Sequence, residues 1–343
     1  MFKKTVLTLY AILISTLSYC QIDHLIVPSY VHISMDSIKA NILVNSLESF
    51  LKQSVNANKE NTFVSKSELL ETSCLLDEIK GMEDGNGADK KGFFKCYLTN
   101  VVQLDSTDYT VQIAYIGIKD ESPVFRASFK LMAKKIADGY SFSSPLKTNT
   151  ENCKVKNIGN FNFYYRTNIN LAILTNYVNK TAEFDKKLNA HAYNTQLYLC
   201  SDFPQLLNLL GVTYKLDYNG IENNTLTSFE NNNNLRMVGA NGSNNKVFDI
   251  HDLWHDRLHH VIPISIINKP VDEGCAYLYG GSWGISWPDI FKQFKTYMGA
   301  NKEWLTAFNE NKNFGPSPQY HLYVSYVINA LLVKKIEKEK GVR

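Results

Sequence analysis

Residues 251 to 260 read His-Asp-Leu-Trp-His-Asp-Arg-Leu-His-His and hold four of the eight histidines of the chain. On a helix, His251 and His255 lie one turn apart on one face. That spacing suits two imidazoles holding a single Zn²⁺ at about 2.0–2.1 Å. A third ligand must come from another element, so this set constrains the fold more than any other feature of the chain. Glu273 follows His255 after seventeen intervening residues, inside Val271-Asp272-Glu273-Gly274-Cys275-Ala276-Tyr277. A second register overlaps the first, because His255-Asp256-Arg257-Leu258-His259 has the same form. It would turn the charged Arg257 toward the metal neighbourhood. The first register is preferred because its variable positions are the apolar pair Leu253 and Trp254. Asp256 reads either as an acceptor that orients an imidazole or as a solvated helix charge. An HxxxH pair alone is weak evidence for a metal, and an incidental histidine cluster on an envelope protein is a competing reading.

The chain has 343 residues, room for roughly two or three domains. Its first twenty residues have the form of an export signal. Lys3 and Lys4 precede an apolar run from Val6 to Leu17, and Ser18-Tyr19-Cys20 offers small residues at −3 and −1 before Gln21. Acylation of Cys20 is an alternative, disfavoured by the bulk of Tyr19. The run is short for a membrane span, and no later stretch is long and apolar enough to be one. Two of the three net positive charges lie in this leader, so the remainder is near neutral. Nothing in that balance invites nucleic acid as a partner. Five cysteines follow the leader: Cys74, Cys96, Cys153, Cys200 and Cys275. Export permits disulfides, and Cys74–Cys96 and Cys96–Cys153 are both open. No feature points to an oligomer, so a monomer is expected.

The fold class expected is α+β. Ile38, Ile42, Leu43, Leu47 and Leu51 recur at helical spacing over 34–55, and a second helix is expected over 65–79 with Ser67 as its cap. A polar loop at 83–91 leads to strands near 93–102, 109–118, 124–133 and 139–145. Helices on a curved antiparallel sheet look like the NTF2-like and cystatin-like domains, a likeness of architecture alone. The polar stretch 148–156 reads as a junction. This divides the chain into a signal peptide (1–20), an α+β accessory domain (21–155) and a second domain (156–343). In the latter, a strand at 161–165, a helix at 169–188, a short strand at 196–200 and a short helix at 203–210 are expected. The Asn- and Gly-rich residues 219–245 suit hairpin turns and a surface excursion.

With these residues in view, the second domain resembles the gluzincin zinc metallopeptidases, the thermolysin- and aminopeptidase-like group. Their pattern is His-Glu-x-x-His on one helix and a Glu ligand on the next, often within Glu-Gly-x-Ala. Glu273-Gly274-Cys275-Ala276 matches that segment residue for residue, and the resemblance covers roughly residues 156 to 343. It implies a mainly α domain with a small sheet, one Zn²⁺ held by His251, His255 and Glu273, and a peptide or protein substrate hydrolysed by a zinc-bound water. The departure is Asp252, which stands where the group has its catalytic Glu and is one methylene shorter. Its carboxylate would sit roughly 1–1.5 Å back, and a misplacement of about 1 Å can cost ~10²-fold in rate. The chain is then expected to be an exported metallopeptidase with Asp252 as general base, or a lapsed pseudo-peptidase that only binds. The group also needs a donor for the oxyanion. Tyr320, His321 and Tyr323, expected within the last helix, are candidates, although packing of that helix is the simpler role for them. Trp254, Trp283 and Trp287 could line a cleft or fill the core.

Overall fold

In a computed structural model the described residues are 25–85, 91–216, 225–239, 245–300, 303–317 and 319–341. The expected leader with Cys20 lies outside them, as do parts of the 83–91 loop and of the Asn-rich stretch. The chain is α+β and divides into two units. One comprises residues up to Glu151 together with Leu207–Gly220, and the other Asn152–Leu206 and Ile221 onward.

In the first unit, α1 (Ser37–Gln53) starts where the Asp36 carboxylate accepts the Lys39 N–H at 2.9 Å. Leu43, Leu47, Phe50 and Leu51 are buried. Ile38 and Ile42 were expected on the same stripe but point to solvent, Ile38 with 71% exposure. The reason is that α1 packs through its later turns. Ser46 Oγ accepts the Tyr140 N–H, and the Phe50 ring lies 5.1 Å from Phe142. Next, α2 (Leu69–Ile79) begins later than expected, because Lys66–Glu68 form a 3₁₀ turn and Ser67 caps nothing.

Strands β1 (Lys95–Gln103), β2 (Asp108–Lys119), β3 (Ser122–Ile136) and β4 (Gly139–Ser143) form an antiparallel sheet in that order. The short α3 (Leu146–Asn149) follows. Strand β8 (Val212–Lys215) also pairs with β3. Cross-strand pairs such as Ile113 with Phe129 and Val111 with Leu131 are fully buried and form the centre of the core.

In the second unit, β5 (Lys154–Ile158), β6 (Phe161–Tyr165), β7 (Asn194–Leu199), β9 (Thr225–Glu230) and β10 (Asn233–Val238) form a mixed sheet in the order β5-β6-β7-β10-β9. Strands β6 and β7 are parallel and need a crossover. That crossover is α4 (Leu171–Leu188), whose first N–H groups are capped by Asn170. Helix α5 (Phe203–Leu210) follows β7, and the division between the two units falls within it, after Leu206. Asn231 and Asn232 turn the β9–β10 hairpin, both with positive φ, 49° and 62°.

The helices α6 (Ile250–Val261), α7 (Lys269–Gly280), α8 (Trp287–Ala300), α9 (Trp304–Asn309) and α10 (Val324–Lys340) complete the unit. Leu253 and Trp254 on α6 enter the core beside Phe163, Phe184 and Leu197. On the same buried side, Arg257 Nε donates to Asp185 Oδ1 at 2.6 Å. Arg257 therefore faces α4 rather than a metal neighbourhood. These contacts fix the rotation of α6 and leave His251 and His255 on the face toward α7.

Among the described residues, no helix is long and apolar enough to cross a membrane. All five described cysteines are free, so neither pairing left open by the sequence is formed. Cys74 and Cys96 are small buried core groups; burial pushes the Cys96 thiol up to about 12, which makes it inert.

Gly274 sits where α7 meets α10. A Cβ there would lie 2.7 Å from Ala330 N and 2.9 Å from Asn329 Cβ, so only glycine permits the approach. Gly274→Ala is expected to destabilise the protein by about 1–3 kcal/mol through overpacking, measured by urea denaturation. An unchanged midpoint would show that the two helices can separate freely.

Candidate metal centre

Helix α6 starts at the Asp249 carboxylate, which accepts the His251 N–H at 2.8 Å. Helix α7 starts at Asn268, whose side chain accepts from Val271, with Pro270 in the first turn. The two helices pack together and bring His251, His255 and Glu273 to one place. His251 Nε2 lies 3.2 Å from His255 Nε2 and 3.3 Å from Glu273 Oε2, and His255 Nε2 lies 3.7 Å from the same oxygen.

Hydrogen-bond bookkeeping shows what these three atoms are. His251 Nδ1 lies 2.8 Å from the Gly281 carbonyl, which can only accept, so Nδ1 carries the proton. His255 Nδ1 lies 2.8 Å from Asp272 Oδ2 and donates to that carboxylate. When both imidazoles are neutral they present two bare Nε2 lone pairs, and Glu273 adds a carboxylate oxygen. Three acceptors then converge with no donor among them, and such a site demands a cation. The grouping is able to hold a metal ion, and each histidine already has the partner that orients a ligating imidazole.

Without a metal the cation is a proton. Burial opposes charging of His255, but hydrogen bonds to Asp272 and Glu273 and their negative charge win, raising its pKa to about 9. Burial likewise opposes ionisation of Glu273, and the two imidazoles outweigh it, bringing its pKa down to about 2.

Beside this centre lies an open cleft of about 1080 Å³, lined by Asp252, Glu273, Tyr277, Trp283, Tyr320, His321 and Tyr323 among others. The Asp252 residue is exposed to the cleft. Partial burial of its carboxyl against the cleft wall, then the charge of Asp249, hold its pKa above the usual range; His251, His255 and Arg236 pull the other way.

Tyr320, His321 and Tyr323 do not lie in the last helix as expected, because α10 begins at Val324. They precede it, in a segment pinned by Tyr277. The Tyr277 hydroxyl donates to the His321 carbonyl at 2.9 Å and accepts the Tyr323 N–H at 3.3 Å. Of the three tryptophans, Trp283 lines the cleft, Trp254 is core, and Trp287 packs against the cluster around Phe294.

Three groups here went unread in the sequence: Asp272, the Gly281 carbonyl and Tyr277. Asp272, rather than Asp256, orients the imidazole. Gly281 has φ 78°, and a Cβ on it would lie 2.3 Å from Ile285 O. The double glycine that ends α7 is thus what aims a carbonyl at His251.

No family model matches the chain, and neither the curated proteins nor the solved structures hold a match to it. Its class therefore rests on the site: a protein with a His-His-Glu grouping able to bind a metal ion, beside an open cleft.

The raised pKa of His255 sets a pH dependence. In the metal-free protein, the stability from this imidazolium is fully present below about pH 6.5 and is lost as pH rises through about 9. A metal must displace that proton, so its affinity should rise with pH up to about 9. Calorimetry at pH 7.5 in buffers of different ionisation heat should report release of about one proton per metal bound. Binding without proton release would contradict this assignment.

Proposed function

We propose that this protein is an exported zinc metallopeptidase, similar to the gluzincins, with Zn²⁺ held by Nε2 of His251, Nε2 of His255 and a carboxylate oxygen of Glu273. The observation that carries this reading is the convergence of those three atoms. A tetrahedral site with bonds of about 2.0–2.1 Å has ligand-to-ligand edges of roughly 3.3–3.4 Å. The separations of 3.2, 3.3 and 3.7 Å bracket that value. Two imidazoles and one carboxylate suit zinc better than calcium or magnesium, which favour all-oxygen shells.

When bound, the ion supplies a Lewis acid that polarises a substrate carbonyl and makes water more acidic. The chain's own residues supply the rest. Asp252, exposed to the cleft with an elevated pKa, takes the proton of the attacking water and returns it to the leaving amine. Tyr320, His321 and Tyr323 bring donors to the cleft for the developing oxyanion. Trp283 and the neighbouring tyrosines offer aromatic walls for apolar side chains of a peptide.

Asp in place of Glu supports a second reading, a lapsed peptidase that binds its target without cleaving it. The two are separable. Protein purified without added metal should contain about one zinc per chain, and His251→Ala should lose it. Asp252→Asn should keep the zinc and lose peptide hydrolysis by about 10²-fold or more. Absence of zinc from the wild-type protein would sink both the enzyme and the metal reading. Zinc without hydrolysis, with activity appearing in Asp252→Glu, would favour the lapsed peptidase. Export is tested separately: amino-terminal sequencing of protein from the host's extracytoplasmic fraction should start at Gln21, and an intact Met1 would refute it.

A further inference from the structure

His259 stands one turn beyond His255 on α6, and the second H-D-x-x-H register includes it. In the structure this register acquires a different carboxylate from the first. His259 Nε2 lies 3.5 Å from Asp272 Oδ2, and His255, His259 and Asp272 form a second grouping whose candidate ligand atoms lie within 4.8 Å of one another. A distance of 3.5 Å with no hydrogen bond is close to the spacing of two atoms bound to one ion.

Independent support comes from the carboxylate itself. Asp272 is only 6% exposed, and its Oδ1 is buried without any hydrogen-bond partner. A carboxylate oxygen in that state is expensive unless water or a cation satisfies it. His259 has 35% of its side chain exposed, so the pair can be reached from solvent.

We propose that His259 and Asp272 form a second, weaker site for a divalent cation of the zinc or cobalt type, distinct from the His251-His255-Glu273 centre. His255 Nδ1 keeps its proton and its bond to Asp272, so the protein supplies His259 Nε2 and the Asp272 carboxylate, and water completes the shell. An imidazole with a carboxylate selects a transition metal over calcium or magnesium. Asp272 is then shared. On one side it orients His255, and on the other it holds the outer ion. The outer ion draws charge from the acceptor that supports the inner ligand, so each ion weakens the other by the same factor.

The test is a titration of the full metal-stripped chain with Zn²⁺, and in parallel with Co²⁺, followed by calorimetry and by cobalt absorption. Two classes of site are expected, the second at least about tenfold weaker because it has fewer protein ligands. His259→Ala and His259→Gln alter an exposed side chain and should leave one class, the tight one, with its affinity unchanged or improved. Thermal melts confirm that both variants fold. A single class in the wild type, or two classes surviving in both His259 variants, overturns the outer site and leaves the inner one standing. Loss of the tight class in His251→Ala with the weak class retained supports both. No binding of either ion defeats both.

Discussion

The hydrogen bond from His255 Nδ1 to Asp272, 2.8 Å long and largely shielded from solvent, ties α6 to α7 at the level of the candidate metal centre. It fixes which nitrogen of His255 carries the proton, and so which one faces Glu273. If Asp272 swung away, the imidazole could turn over and the convergence of three acceptors would be lost. Packing behind the two helices holds them where this bond can form. Leu253, Trp254 and the Arg257–Asp185 pair hold the back of α6 against the core. Gly274 and Ala276 let α7 lie close to its neighbours. The turn at Gly281 closes the set from the other end by giving His251 its own acceptor.

The convergence is an unstable arrangement of charge that the fold imposes on itself. Two lone pairs and a carboxylate oxygen would repel one another at 3.2 to 3.7 Å if nothing positive lay between them. A proton on His255 resolves the conflict in the metal-free state, and although burial opposes that charge, the hydrogen bonds and negative charge of Asp272 and Glu273 hold the proton until pH reaches about 9. A site built only for packing would place an apolar group or a donor here. Instead the helices hold three acceptors within reach of a single ion.

The parts of this arrangement that could be read from the sequence were those with local spacing. His251 and His255 are one helical turn apart, and Glu273-Gly274-x-Ala276 is a compact string whose glycine has a packing reason. The first three strands of the first unit, 9, 12 and 15 residues long, are rich enough in aromatic and β-branched residues to be recognised. Strand β5 did not, because four of its five residues are exposed and carry no apolar rhythm. Asp272 was legible only as an acid in the first turn of a helix, where it serves the helix dipole equally well. The Tyr277–His321 bond joins residues 44 apart, which no local pattern encodes. Tyr320 to Tyr323 resembled the start of a helix because their spacing continues into α10. The bonds to Tyr277 and the Asn313–Tyr323 bridge instead hold this stretch extended.

Asp252 is where reach and basicity oppose each other. A side chain one methylene shorter than Glu cannot extend as far from α6, and proton transfer falls off steeply with distance. Yet a carboxylate partly shut off from water and set near Asp249 is a stronger base than a solvated one. A base whose pKa lies closer to the working pH also transfers a proton more effectively. In the proposed peptidase, turnover requires the gain in basicity to offset the loss of reach. Burial and Asp249, which also caps α6 through the His251 N–H, raise the basicity of Asp252, while His251, His255 and Arg236 lower it.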